Sequence, residues 1–133
     1  MPSGPSWSLR RAAAEDAGPV RGLALATFRE AFAHAMPAPT LERLLAERFS
    51  EARFQDLIAE PEGRFFLAEA GSEQLGYALT HPARTPEAPG ASWELSRLYV
   101  RRAFHGQGVG EALMAACVDA ARAGGATGMW LKV

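Results

Sequence analysis

WELSRLYV (Trp93–Val100), RRAFH (Arg101–His105), GQGVG (Gly106–Gly110) and EALMAACV (Glu111–Val118) follow one another without a break. The first piece has the composition of a strand and the last the spacing of a helix. Between them lie a basic, turn-like link and three alternate glycines. Gly106, Gly108 and Gly110 leave main-chain N–H groups uncovered where a helix begins, so these donors and the positive end of the helix dipole point the same way. That combination suits an anion. A plain tight turn with glycine caps is the competing reading. The strand before the glycines and the helix after them favour the anion site.

Working outward from this stretch, the helix is expected over Gly108–Ala123, with Val109, Leu113, Ala116, Cys117 and Ala120 on one face. Gly124 and Gly125 stop it, and Met129–Val133 reads as a last strand. Strand, helix, strand implies a parallel pair. On the N-terminal side, Phe65–Ala70 and Leu75–Thr80 flank a short turn and read as an antiparallel hairpin. His81–Gly90 holds prolines at 82, 86 and 89 and reads as an exposed loop. Earlier still, Trp7–Ala12 reads as a short strand. A helix then starts at Glu15 and Asp16 and runs to about Ala35, with Val20, Leu23, Ala24, Thr27, Phe28, Ala31 and Phe32 on its apolar face. After the break at Met36–Pro39, Thr40 is expected to cap a second helix (Leu41, Leu44, Leu45 and Phe49 inward) and Ser50 a third (Phe54, Leu57, Ile58). The fold class that follows is α/β with a mixed sheet. A dinucleotide-binding reading fails, because positions 111 and 113 are Glu and Leu, so the Gly-x-Gly-x-x-Gly spacing is absent.

Bulk properties narrow the class. The chain has 133 residues, 48% of them hydrophobic, and a formal net charge of −1. One modest domain over residues 7–133 is expected, behind a disordered leader over residues 1–6, with no electrostatic case for nucleic acid or membrane binding. No apolar run reaches the length of a spanning helix. The single cysteine, Cys117, excludes an internal disulfide and fits a reducing cytoplasm. It reads as a packing residue. No cluster has metal-ligand spacing.

Leu98–Met114 resembles the central motif of the GCN5-related N-acetyltransferase (GNAT) superfamily. There a strand leads into (Gln/Arg)-x-x-Gly-x-(Gly/Ala) at a helix start. The six positions here are His105, Gly106, Gln107, Gly108, Val109 and Gly110, with His105 in place of Gln or Arg. The order of elements from Trp7 to Val133 is similar to the family as well. TFREAF (Thr27–Phe32), FFLA (Phe65–Ala68) and Gly76–Tyr77 resemble its polyamine-acetyltransferase branch. The resemblance implies an acyl-CoA N-acyltransferase fold lacking the usual last helix and two strands, which in the family supply a tyrosine that protonates the leaving thiolate. A further copy or a longer chain would complete it, and the free edge at Trp130–Val133 leads us to expect a homodimer.

The chemistry implied is acetyl transfer from acetyl-CoA to a primary amine of a small molecule or peptide, with no metal. By the resemblance, main-chain N–H groups from His105 and Gly106 to Gln107, Gly108, Val109, Gly110 and Glu111 hold the pyrophosphate. Main-chain groups of the Leu98–Tyr99–Val100 strand receive the pantetheine arm, with the Tyr99 side chain on the other face. Glu94 is the candidate base, acting through water. It stands eleven positions before His105, the spacing of family members that use a strand glutamate. Strict alternation would put it on one face with Ser96, Leu98 and Val100. A substrate-ammonium anchor and a plain exposed glutamate are the rival roles for Glu94. Arg101 and Arg102 read as solvated charges, one of which could reach a CoA phosphate. His34 and His81 read as incidental, and Glu30 as a solvated helix residue that could instead meet a cationic acceptor. A CoA-binding module without catalysis is the alternative function.

Overall fold

The computed structural model describes residues 6–84 and 90–131. The leader expected over residues 1–6 (Ser6 apart), the centre of the proline-rich loop and the final two residues lie outside the described part. Five strands form one sheet in the order β1-β2-β3-β4-β5. They are β1 (Ser8–Arg11), β2 (Arg64–Ala70), β3 (Glu73–Pro82), β4 (Ser92–Val100) and β5 (Gly128–Leu131). The first four pair antiparallel and β4 pairs β5 in parallel, so the sheet is mixed. Helices α1 (Ala17–Phe32), α2 (Ala38–Arg48) and α3 (Glu51–Ala59) precede β2, and α4 (Val109–Ala123) joins β4 to β5.

Alternation along β2 and β3 feeds two cores. Phe65, Leu67, Tyr77 and Leu79 pack on one face with Val20, Leu23 and Ala24 of α1, Leu41 and Leu45 of α2, and Phe49 and Phe54. Ala68, Leu75 and Ala78 pack on the other with Leu95 of β4 and Val109, Leu113 and Cys117 of α4. Helices therefore cover both faces of the sheet, which gives each apolar face a partner. At the end of α4, Gly124 lies against the buried Trp93 ring. A Cβ there would fall 2.2 Å from Trp93 Cζ2.

Local chemistry explains most boundaries. Ser50 caps α3 as expected, its Oγ accepting the Arg53 N–H at 3.1 Å. Thr40 does not cap α2, which begins two residues earlier at Ala38, with Pro39 in its first turn. The first-turn N–H groups of a helix have no partner, so proline is tolerated there and need not mark a break. α1 ends at Phe32, short of the expected Ala35. A 3₁₀ turn over Ala14–Asp16 leads into it. Asp16 fixes this junction by accepting the Ala13 N–H at 2.6 Å and both Nη groups of Arg10 at 2.8 and 2.9 Å, while Arg10 Nε also bonds Glu69 on β2 at 2.6 Å. The first strand, the first helix and the hairpin are thus tied at one guanidinium.

β3 runs on past Thr80. His81 and Pro82, expected in the loop, continue the strand opposite Glu94 and Trp93, and His81 is 4% exposed. Proline within the run suggested an earlier end. It is tolerated here as the last residue of the strand.

Candidate functional site

The glycine cluster has the conformation its residues allow. Gly106 and Gly108 have φ of +81° and +85°, and nothing lies within 4 Å of where a Cβ would project. Only glycine enters that region of backbone space readily. The α4 ladder begins with Ala112 N–H donating to Gly108 O at 3.0 Å. The N–H groups of Val109, Gly110 and Glu111 therefore precede the first intrahelical bond. They open into a cleft of about 550 Å³ lined by Leu98, Val100, Phe104, His105, the glycines, Val109 and Glu111. His105 is a cleft residue with a structural bond of its own. Its Nε2 lies 2.9 Å from Val100 O, and because a carbonyl only accepts, Nε2 carries the hydrogen.

The same cleft continues along a strand edge. Arg101 N–H donates to Leu75 O at 2.8 Å, and Val100 faces Gly76 in the β3–β4 register. Hydrogen-bonded and non-bonded positions alternate in an antiparallel pair. The main-chain groups of Tyr99 and Arg97 therefore turn toward β3, and those of Leu98 and Val100 turn away from it. On that outer side, among the described residues, β5 pairs with Ser92–Leu95 only. The outward N–H and C=O groups of Leu98, and the N–H of Val100, have no main-chain partner among the described residues and lie beside the glycine nest.

On Glu94, strict alternation fails. Leu79 pairs with Arg97 and Thr80 with Leu95, which leaves Ser96 as an extra residue, a β-bulge. Trp93 and Leu95 face α4, and so do Leu98 and Val100. The bulge thus reverses the phase between them, and Glu94 lies on the opposite face with Arg97 and Tyr99. It does not share a face with Leu98 and Val100, as unbroken alternation required. On its own face, Glu94 Oε2 is 3.9 Å from His81 Nε2. His81 Nδ1 lies 2.8 Å from Pro82 O, so Nδ1 donates there and Nε2 is turned toward the carboxylate. Trp130 of β5 is the register partner of Glu94, and its buried indole N–H has no hydrogen-bond partner among the described residues.

Farther along the same face of β4 a second cleft of about 270 Å³ opens between α1, α2 and β4, its walls including Phe28, Arg48, Phe49, Ser96, Arg97 and Tyr99. The Arg97 guanidinium lies over the rings of Phe49 and Phe54, with its carbon 5.6 and 5.5 Å from their centroids. Tyr77 stacks between Phe65 and Tyr99 beneath it. Burial pushes the Tyr77 hydroxyl up to about 12, partly offset by Arg97, so it stays neutral.

Other expected residues have structural duties. Glu30 is neither a solvated residue nor open to an acceptor. It accepts the Arg102 N–H at 3.0 Å and the Arg101 guanidinium at 3.3 and 3.4 Å, and its own carbonyl accepts from the Arg102 guanidinium. Burial opposes ionisation of Glu30, but these donors outweigh it and hold the carboxyl below its ordinary range. The two arginines are thereby engaged in clamping α1 to the end of β4. Cys117 is fully buried, and burial pushes its thiol up to about 12, as suits a packing residue. No group of three or more His, Cys, Asp or Glu among the described residues could hold a metal ion.

The sequence singles out the glycines, the Leu98–Val100 edge and Glu94 as candidates. It leaves His81 aside, and it does not mark Arg97 and Trp130. Their only signal was position: each becomes a neighbour of Glu94 through the register and the bulge.

An open strand edge beside a glycine nest at a helix start, set in a mixed sheet with helices on both faces, defines the acyl-CoA N-acyltransferase fold. The sequence model of the Acetyltransferase (GNAT) family matches residues 25–133, and the chain belongs to that family, which makes it an N-acetyltransferase by class. It is 28% identical over 118 residues to an uncharacterized N-acetyltransferase of Mycobacterium tuberculosis, covering 89% of this chain and 72% of the relative. Among solved structures, the PaiA N-acetyltransferase of Thermoplasma acidophilum in complex with coenzyme A superposes with a TM-score of 0.82 at 18% identity, over 96% of this chain and 79% of that one. An aminoglycoside acetyltransferase, HMB0005, from an uncultured soil metagenomic sample superposes with a TM-score of 0.70 at 20% identity, over 95% and 78%.

Proposed function

We propose that the chain transfers the acetyl group of acetyl-CoA directly to a primary amine of a small molecule or peptide, with Glu94 as the base. The observation that carries this reading is the pairing of a free strand edge with the glycine nest. Leu98 and Val100 turn their main-chain groups outward along the same cleft into which Gly106–Glu111 open. An extended amide-bearing arm ending in a pyrophosphate matches both. The arm lies along β4 as an added strand, and the phosphates meet the N–H groups at the head of α4. The PaiA structure with coenzyme A supports the choice of cosubstrate.

The acceptor enters from the other face of the sheet. Its ammonium must lose a proton before attack, and Glu94, whose Oε2 lies 3.9 Å from His81 Nε2, takes that proton through a bridging water. The amine nitrogen then bonds to the thioester carbon, the C–S bond breaks, and the second amine proton passes to the departing sulfur, so that CoA leaves as the free thiol. An outward N–H of β4 polarises the carbonyl as it becomes an oxyanion. Isothermal titration with acetyl-CoA tests the first half. A single-site binding curve is expected, and folded protein that does not bind overturns the reading. Release of free thiol in the presence of amines tests the second half. Binding without turnover of any amine leaves a CoA-binding module and removes the enzyme.

A further inference from the structure

We infer that the acceptor carries a carboxylate as well as its amine, held by Arg97 and Arg48; this rests on the acetyl-transfer reading above and specifies its substrate. The cleft on the same sheet face as Glu94 is lined by two guanidiniums and, among the described residues, by no carboxylate. Every ion pair among those residues involves other cations, so neither Arg48 nor Arg97 is neutralised there.

Arg48 is exposed at the end of α2, where water can solvate it. Arg97 is half-buried, laid over Phe49 and Phe54. Aromatic faces compensate a cation only in part, and a desolvated charge without a counter-ion is costly. The aromatic contact also orients the guanidinium. A planar fork fixed in one orientation suits a carboxylate, which it can meet through two parallel hydrogen bonds. Ser96, brought to the surface by the bulge, adds a hydroxyl at the same cleft.

The two arginines are not a second phosphate grip. Arg97 is on the α1–α3 face, whereas Leu98, Val100 and the glycine nest line the cleft on the α4 side. Arg97 instead shares its face with Glu94, three positions away along β4. An acceptor with its amine at Glu94 and its carboxylate at Arg97 spans that interval along the strand. Phe28, Phe49 and Tyr99 form the remaining wall of the cleft, so the part of the acceptor seated beside its carboxylate is apolar or aromatic. A polycation would meet two like charges at this entrance. The acceptor class is therefore amino acids and short peptides with a free carboxylate, and not the polyamines suggested by Thr27–Phe32.

The test is steady-state thiol release with free amino acids and dipeptides, their C-terminal amides, spermidine and an aminoglycoside. The acids are expected to have kcat/KM about 10- to 100-fold above their amides, the span of a charge-assisted hydrogen bond. Arg97→Met should collapse the acid-to-amide ratio toward one, mainly through KM, and Arg97→Lys should restore part of it. Arg48→Gln, on the exposed side, gives the same direction with less risk to folding. Calorimetry with acetyl-CoA on each variant separates the two readings. If acetyl-CoA binds but acids and amides react alike, or polycations react best, or no carboxylated amine reacts, the carboxylate assignment is wrong while the CoA site stands. If acetyl-CoA does not bind the unaltered protein, the parent reading has failed instead.

Discussion

Ser96 is an extra residue in β4, and the side chains around it gain their neighbours from that insertion. It leaves Glu94 beside His81 and opposite Trp130, on the face that also bears Arg97 and Tyr99. The substitution Glu94→Gln should lower turnover by about 100-fold or more, the usual worth of a positioned base. It should also make the remaining rate climb more steeply with pH, since only the free amine can then attack. Thiol release measured across pH checks both, and an unchanged profile removes Glu94 as base. Gly108→Ala forces a side chain to φ near +85°, costing about 1–2 kcal/mol at the head of α4. Weaker acetyl-CoA binding by calorimetry is expected, with a loss of several degrees in melting temperature. At this scale, glycine spacing and the distance from Glu94 to His105 were legible in the chain because both are local. The face of Glu94 was not, since a bulge depends on the pairing strand and leaves no mark in residue type. His81 was hidden for a similar reason: its partner is thirteen residues away in sequence and adjacent only across the sheet.

Elements were easier to read than faces. Ser50 announced α3 by its side chain, and the apolar period announced α1 and α4. The antiparallel hairpin and the parallel β4–β5 pair followed from connection length. The start of α2 was misjudged by three residues because Pro39 marks a first helical turn as readily as a break. The joint between α4 and β5 is a sharper constraint than the sequence suggested. Gly124 is expected there as a helix stop, yet its packing is what excludes other residues. Gly124→Ala places a methyl into the Trp93 ring and should destabilise the fold by about 1–3 kcal/mol in urea titration. Adding Trp93→Leu should recover part of the loss, and a double-mutant cycle reads that coupling. Strict additivity would show that the clash is relieved elsewhere.

Acid stability is set by junctions spread across the molecule. Asp16 is held below its ordinary range first by the Arg10 guanidinium and then by the Ala13 N–H, against the effect of burial. A carboxyl depressed in the folded state stabilises fully above its unfolded value, near about 4, and loses that contribution as pH falls through the folded value. The urea midpoint should therefore decline below about pH 4. Asp16→Asn should cost about 1–3 kcal/mol at pH 7 and flatten the decline. A variant that keeps the full acid slope would place its origin elsewhere. The sheet also acts as a partition. The cleft of the glycine nest and the cleft of Arg48 and Arg97 lie on its opposite sides, and on the proposed reading donor and acceptor meet at the open edge of β4. Changes that retune which amine is accepted need not pass through residues that hold the acetyl donor. If the proposed sites hold, one scaffold is redirected to new acceptors by exchanging side chains on α1, α2 and the bulged strand, while its donor chemistry is inherited unaltered.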